Sequence, residues 1–355
     1  MRNYISKRIA LAIPTLIGIL TINFFIVQFA PGGPVESMIA RIQGESNGYM
    51  ERVTGQTAET SDRSGSAAGI DPGLIEEIRN YYGFDKPVYQ RYIQLLGSYL
   101  RFDLGKSFFR DRTVWELLRE KLPVSVSLGL WSTLLIYSIS IPLGIAKAVR
   151  RGTVFDSFSS FVVVTVSAIP TFLTAILLII VFAGGDGLQL FPLRSLASPG
   201  ASDFPFFKRV LDYLWHITLP VTAMTISGFA GLTLLTRNCF LDELGKLYVV
   251  TARAKGLNEM KVLLCHVFRN AMLIVISGFP AAFISIFFTG SMMIEIIFSL
   301  DGLGLMGFEA TVQRDYPVMF GTLYISTLIG LVMQIISDLT YSFIDPRITF
   351  ESRIK

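Results

Sequence analysis

The chain has 355 residues, of which 52% are hydrophobic and 16% charged, and its mean hydropathy is +0.54; soluble domains carry about 25% charge. That balance excludes a disordered chain, a secreted disulfide scaffold and a conventional cytosolic enzyme, and it predicts an all-α integral membrane protein. The two cysteines, Cys239 and Cys265, are too few and too far apart for a metal motif or a disulfide framework.

In chain order, the first apolar run is Ile9–Phe29, long enough to cross a bilayer, which takes about 20 apolar residues. It exceeds a secretory h-region, and Ala30-Pro31-Gly32-Gly33-Pro34 offers no small-x-small cleavage site, so it is expected to remain a helix. Residues 31–122 form the largest segment between spans. Within it, about 43–69 is polar and rich in Gly, Ser, Thr and Glu, which predicts a mobile loop. Asp71-Pro72 predicts a helix start, with the helix ending near Tyr82 at Gly83. A second helix is predicted over Val88–Leu100, with Tyr89, Tyr92, Ile93, Leu96 and Leu100 on one face. A third, Val114–Leu122, leads into the second span.

The remaining spans are expected at Val124–Ala146, Phe158–Phe182, Ile217–Leu235, Ala271–Phe298 and Val318–Ile344, for six in all. The last two exceed the bilayer thickness, which predicts tilt or extra-membrane turns. Pro14, Pro142, Pro170, Pro220 and Pro280 lie within or near the ends of these spans, where packed neighbours re-satisfy the backbone.

Charge predicts the orientation. Residues 1–8, 147–157, 236–270 and 345–355 hold 15 Lys/Arg against 6 Asp/Glu, whereas residues 31–122, 184–214 and 299–316 hold 16 against 19. The positive-inside rule therefore puts both termini in the cytoplasm. The basic balance is topology rather than a nucleic-acid footprint. Both cysteines fall on the reducing side, where no disulfide is expected.

The loop 236–270 is long for a connection in a compact helical protein. Its pattern predicts a short helix through Lys255, a left-handed cap at Gly256 and a restart with Asn258 as N-cap. Ala252 and Ala254 keep this elbow slim, and Arg253, Lys255 and Lys261 present charge. Such an elbow fits a protein-docking surface or an amphipathic helix lying on anionic lipid.

Leu104-Gly105-Lys106-Ser107 ends like a phosphate-binding loop, but Leu100 stands where the first glycine belongs, so no ATP site is expected. Gly302-Leu303-Gly304-Leu305-Met306-Gly307 follows a membrane helix rather than a strand, which predicts a tight turn at the outer mouth instead of a dinucleotide site. His216 and His266 are expected to be interfacial or docking residues. Glu295 and Asp338 are intramembrane acids, near the outer and inner ends of their spans. Structural pairing or interfacial solvation is the leading expectation for both, with pathway lining or gating as the alternative. Phe287-Phe288 and Met292-Met293 fit a peptide-tolerant lining or lipid-facing packing.

Thr251-Ala252-Arg253-Ala254-Lys255-Gly256, followed by Arg269-Asn270-Ala271, resembles the coupling loop of permeases in bacterial binding-protein-dependent ABC importers, in its peptide-permease version. Tyr82-Gly83-Phe84-Asp85-Lys86-Pro87, Phe102-Asp103-Leu104-Gly105, Glu295-Ile296-Ile297-Phe298-Ser299, Arg314-Asp315-Tyr316-Pro317 and Asp345-Pro346-Arg347 extend the resemblance over nearly all of the chain except about 43–69. Phe191-Pro192-Leu193-Arg194 and Tyr213-Leu214-Trp215-His216 look specific to one oligopeptide branch. Val250 stands where many such permeases have Glu, and His266 and Phe268 where Ile and Pro are usual.

The resemblance implies a type I ABC importer permease fold in the bacterial inner membrane, with a first helix over 1–30, a small periplasmic helical domain over 31–122 and a core over 123–355. It implies a heterodimer with a second permease, an ATPase subunit or fused double ATPase that carries ATP and Mg, and a periplasmic peptide-binding protein. This chain itself is expected to carry no catalytic residue, metal or cofactor. ATPase coupling would fall on Tyr248, Thr251, Ala252, Arg253, Ala254, Lys255, Gly256, Leu257 and Asn258, within a lever over about 242–266. Phe191, Pro192, Leu193 and Arg194 would meet the binding protein, and Glu295, Met292 and Phe288 would line or gate the pathway. Rival readings are a permease for nickel or another small solute, a gradient-driven carrier and a membrane enzyme. They lack, respectively, a His-lined path, inverted repeats with mid-membrane charges and a catalytic cluster.

Overall fold

The computed structural model describes residues 2–29, 76, 85–184, 187–280, 282 and 291–344. The loop expected over 43–69 and the helix expected from Asp71 to Tyr82 lie outside the described residues. The apolar runs form helices: α1 Arg2–Phe29, α2 Val88–Leu100, α3 Val114–Val149, α4 Val154–Ser167, α5 Thr171–Phe182, α6 Phe206–Leu244, α7 Leu247–Ala254, α8 Glu259–Val262, α9 Phe268–Ser277, α10 Ser291–Ile297, α11 Leu303–Gln313 and α12 Tyr316–Ile344. Among the described residues, extended pairing is confined to one antiparallel bridge, Lys106 with Thr113.

Among the described residues, five helical stretches are long and apolar enough to cross a membrane: Ser6–Phe29, Val114–Val149, Phe206–Leu244, Glu259–Ser277 and Tyr316–Thr340. A sixth crossing is added if α4 and α5 count as one span. The sequence predicts a single span over 158–182, but these two helices meet at 91°. Pro170 supplies no N–H and pushes Ile169 away from helical geometry. The Ala168 and Ile169 amides close back onto Val164 and Val166, and α5 restarts with the Leu173 and Thr174 amides on the Pro170 carbonyl.

Two further boundaries differ from the sequence expectation. The predicted short helix from Val114 and the second span are one element of 36 residues, roughly 54 Å long at 1.5 Å per residue. The helix that carries the fifth span begins earlier than Ala271, because α8 runs into α9 through a π-helical turn over Leu263–Val267. Phe268 closes that turn by donating its N–H to the Leu263 carbonyl. A proline there would have no N–H to give, so Phe268 supplies a bond that the turn would otherwise lose.

The chain divides into two compact units, Met1–Ile5 with Leu122–Leu305 and Ile329–Lys355, and Ser6–Lys121 with Met306–Leu328. In the second, α2 packs on α1 through Tyr92, whose ring meets Phe24 at 5.4 Å and whose hydroxyl lies 2.7 Å from Thr21 Oγ1. Arg91 Nη2 donates to Gln28 Oε1 at 2.8 Å. Buried Tyr99 stands edge-on to Tyr324 at 5.2 Å. The inward face of α2 is thus Tyr92, Leu95, Leu96 and Tyr99, rotated from the predicted face; Tyr89, Ile93 and Leu100 are each more than 60% exposed in this chain. The helix is apolar on two sides, and the tyrosine contacts decide which side turns in.

The loop before α3 is a tight hairpin around the Lys106–Thr113 bridge. The Asp315 carboxylate accepts the Ser107 hydroxyl and the Phe108 N–H, the latter at 3.1 Å, and Arg110 pairs with Glu309. The phosphate-loop look-alike is therefore the start of this hairpin, with Ser107 buried against an acid.

In the first unit, α3 and α6 approach closely at Gly144, where an added Cβ would stand 2.7 Å from Thr236 Cβ and 2.8 Å from the Thr233 carbonyl. Small residues allow such approach where helices pack in lipid. One apolar cluster joins Leu128, Ala175, Leu219, Ala223, Ile294 and Phe298. Another, under α7, joins Ala148, Phe240, Val249, Ala252, Val262, Val267 and Val275.

Candidate functional site

The connection from α6 to α9 folds as it does because its stop and start signals fall in order. Gly245 and Lys246 end α6, and α7 runs from Leu247 to Ala254. Gly256 then takes φ +82°, a conformation that costs any residue with a Cβ. The Gly256 amide bonds the Arg253 carbonyl at 2.9 Å and the Leu257 amide bonds that of Ala252 at 3.3 Å, a helix stop that satisfies end carbonyls. Asn258 caps α8 by accepting the Met260 N–H at 3.1 Å.

The elbow has a seated face and a presented face. Val249, Ala252, Val262 and Val267 are buried, while Leu247 is 83% and Val250 54% exposed, with Thr251, Ala254, Met260 and Leu264 exposed beside them. Leu247, Val250, Thr251 and Ala254 recur at helical spacing, so they form one apolar stripe on α7. Arg253 closes the bend by a two-pronged ion pair with Glu259, at 2.8 Å and 3.0 Å. Lys255 is exposed, and Leu257 is half-buried on the cluster beneath.

Tyr248 ties the elbow to its supports. Its hydroxyl donates to Glu243 Oε2 at 2.5 Å and accepts from Asn270 Nδ2 at 3.2 Å, and Lys246 pairs with the same carboxylate. Burial and then the bond to Glu243 hold the Tyr248 phenol above its ordinary value. Glu243 was not singled out from sequence, and Asn270 was named only within the motif Arg269-Asn270-Ala271; they lie 5 and 22 positions from Tyr248. A second anchor was also missed. Asp156, on α4, is held by Arg237 from α6 and by Lys147, a fully buried lysine on α3.

The four residues Phe191 to Arg194 are split by the fold. Phe191 packs edge-on to Phe182 at 6.5 Å, and the Leu190 and Phe191 amides bond the Phe182 carbonyl. Trp215 Nε1 donates to the Leu190 carbonyl at 2.7 Å. Pro192 is half-buried, and Leu193 and Arg194 are exposed. His216 is buried beside Asp212, with Nδ1 2.8 Å from the Asp212 carbonyl. His266 is half-buried in the π-helical turn.

At the α10–α11 corner, Glu295 has no exposed surface. Its Oε1 accepts the Ser125 hydroxyl at 2.7 Å, its Oε2 accepts the Leu305 N–H at 2.8 Å, and Ser125 Oγ in turn accepts the Leu303 N–H at 2.8 Å. An added Cβ on Gly302 would collide with the Glu295 carboxyl, and one on Gly304 would come within 2.8 Å of Met292 Cα. The glycine-rich run is thus the entry to α11, where a tight turn was expected. Met292 is half-buried there. Phe288 lies outside the described residues. Among those described, no group of three or more His, Cys, Asp or Glu side chains is placed to hold a metal.

Residues 140–350 match the family described as binding-protein-dependent transport system inner membrane component, and the chain belongs to that family. It is 56% identical to the inner membrane ABC transporter permease protein YejB of Escherichia coli O157:H7, over 99% of this chain and all of the relative. It is 52% identical to the peptidoglycan transport system permease protein YejB of Agrobacterium fabrum, with the same coverage. The oligopeptide transport system permease protein AppB of Bacillus subtilis is 35% identical, again over 99% of this chain and all of AppB. A chain of the inward-facing MetNI methionine ABC transporter shares the fold at a TM-score of 0.51 and 16% identity, over 65% of this chain and 97% of that one. The fold is that of a type I ABC importer permease, as the sequence motifs implied.

Proposed function

We propose that this chain is a permease subunit of an ATP-driven importer that carries oligopeptides across the inner membrane, forming half of the pathway together with a second permease. The observation that carries this reading is kinship over the whole chain: 56% and 35% identity to permeases named for ABC and oligopeptide transport, with no part of either relative left over. Peptidoglycan-derived compounds are a second cargo, favoured by the name of the 52% identical relative.

ATP and Mg are bound and used on a partner ATPase, either a single subunit or a fused pair. The stripe Leu247, Val250, Thr251 and Ala254, flanked by Tyr248, Ala252, Arg253, Lys255, Gly256, Leu257 and Asn258, is the surface on which that partner docks. Three supports bear on this: the stripe is apolar and exposed, it stands on a buried apolar cluster, and Tyr248 fixes it to α6 and α9. Movement of the elbow then reaches the spans through α6, which runs unbroken from Phe206 to Leu244.

The charge asymmetry supports a cytoplasmic position for the elbow and both termini. Residues 184–214 and 299–316 then face a periplasmic peptide-binding protein, with Leu193 and Arg194 as the exposed half of the 191–194 contact. Met292, half-buried beside the α10–α11 corner, lines the pathway. The test is purification in detergent from the native operon background. A second permease and an ATPase should accompany the chain, and Leu247→Asp with Val250→Asp should release the ATPase while the second permease stays. Purification of the chain alone would contradict the assembly.

A further inference from the structure

We infer that Glu295 is a positioning residue that couples the receptor-facing end of α11 to the second span, rather than a group that touches cargo. The inference deepens the function proposed above and rests on it. The geometry is that of a latch with three parts. Glu295 comes from α10, Ser125 from α3, and the two amides from the first turn of α11. Helix α11 starts with amide donors that have no partner in their own helix, and a negative charge at that end is favoured by the helix dipole. Ser125 acts as a relay, donating a hydrogen bond to the carboxylate and accepting one from the Leu303 N–H on the same oxygen.

Several features separate this latch from ordinary packing. A fully buried carboxylate is costly, and a well-packed apolar side chain of similar volume would often be as stable or more so. The chain nevertheless keeps the acid and leaves Gly302 and Gly304 without side chains where a Cβ would strike the Glu295 carboxyl and Met292. Both carboxylate oxygens are occupied within the chain, so the group is set to hold a geometry rather than to bind a peptide. Because packed interfaces shift between discrete arrangements instead of deforming smoothly, a latch of this kind makes the start of α11 and the Ser125 turn of α3 move as one body. A receptor landing on 299–316 would then move the second span directly.

The test uses the complete transporter in proteoliposomes, with the peptide-loaded binding protein added outside. ATPase activity is measured without and with that receptor for Glu295→Ala, Glu295→Gln, Glu295→Leu and Ser125→Ala. Basal ATPase should stay within about twofold of wild type, while the maximal receptor-stimulated increment falls about tenfold or more in Glu295→Ala, the equivalent of one lost charge-assisted hydrogen bond. Gln, which keeps the Ser125 bond but turns a donor toward the Leu305 N–H, should recover only part of the increment. Leu should recover none.

Full stimulation in Glu295→Leu would overturn the inference, because volume alone would then suffice. If Glu295→Ala does not assemble, Ser125→Ala decides, since it leaves the acid in place and removes only the relay; stimulation within about twofold of wild type would again overturn the inference. A wild-type complex that gains nothing from the receptor would instead contradict the proposed function, and the inference would fall with it.

Discussion

Arg237 grips Asp156 through two hydrogen bonds, Nε to Oδ1 at 2.9 Å and Nη2 to Oδ2 at 2.6 Å. From the other side, Lys147 Nζ reaches the Asp156 carbonyl at 3.0 Å and the hydroxyls of Ser159 and Ser160 at 2.8 Å and 2.6 Å. Three helices, α3, α4 and α6, are thereby joined at one acid, just before α6 leads into the elbow.

Removing that acid should be costly, because it strands a lysine that has no exposed surface. Breaking one side of a buried pair typically costs about 3–5 kcal/mol. Asp156→Ala is therefore expected to lower the thermal unfolding midpoint of the detergent-solubilised complex strongly. Lys147→Met in the same background should recover part of the loss, since the stranded charge is gone. Equal midpoints for the single and double variants would count against the clamp.

The Arg253–Glu259 pair behaves differently, because both side chains are well exposed, at 42% and 69%. Exposed ion pairs contribute about 0–1 kcal/mol. Arg253→Glu should thus leave the midpoint almost unchanged while reducing the amount of ATPase that co-purifies. The swap Arg253→Glu with Glu259→Arg restores the intrachain pair but leaves the wrong sign at position 253. Continued loss of ATPase in the swap is the expected result; full recovery would show that Arg253 acts only within the elbow.

Asp315 gives the hairpin over Lys106–Thr113 a pH dependence. Burial pushes its carboxyl above the ordinary range, and the bonds from Ser107 and the Phe108 N–H only partly oppose that. A raised carboxyl favours the protonated folded form, so its contribution is fully present below the unfolded-state value near 3.8 and is lost as pH rises through the folded value. Hydrogen exchange of residues 106–113, corrected for intrinsic rates, should show declining protection over that window. Asp315→Asn, which still accepts from Phe108 but cannot ionise, should remove the slope and be no less protected at neutral pH. An unchanged slope would exclude Asp315 as its source.

Gly144 should tolerate no side chain. A Cβ there would meet Thr236 and the Thr233 carbonyl at under 3 Å, and overpacking of this kind costs about 1–3 kcal/mol. Gly144→Val is expected to lower the unfolding midpoint by several degrees, and Thr236→Ala should relieve part of that loss.

Much of the architecture was legible because its signals are local. The Val88–Leu100 helix, the helix stop at Gly256 and the Asn258 cap depend on a few neighbouring residues, and the spans depend on runs of apolar ones. The bend at Pro170 was harder to foresee, because prolines such as Pro142 and Pro220 lie inside α3 and α6 without ending them. Glu295 was expected to be structurally paired or solvated at an interface, but the partners of the polar anchors could not be seen in sequence. Ser125 and Glu295 are 170 positions apart, Ser107 and Asp315 are 208, and Asp156 and Arg237 are 81. Each is an ordinary serine, acid or arginine until the chain brings it to its partner. Gly302 does close a tight turn, its amide bonding the Leu300 carbonyl at 2.9 Å, whereas Gly304, expected in the same turn, lies in α11 beside Glu295.

The most direct test of the transport account is uptake of a labelled oligopeptide into proteoliposomes that contain this chain, its second permease and the ATPase, with the binding protein outside and nucleotide inside. Uptake should require both ATP hydrolysis and the binding protein, and it should stop when Leu247 and Val250 are replaced by Asp. Peptide uptake by this chain alone, driven by an ion gradient without ATP, would contradict the account.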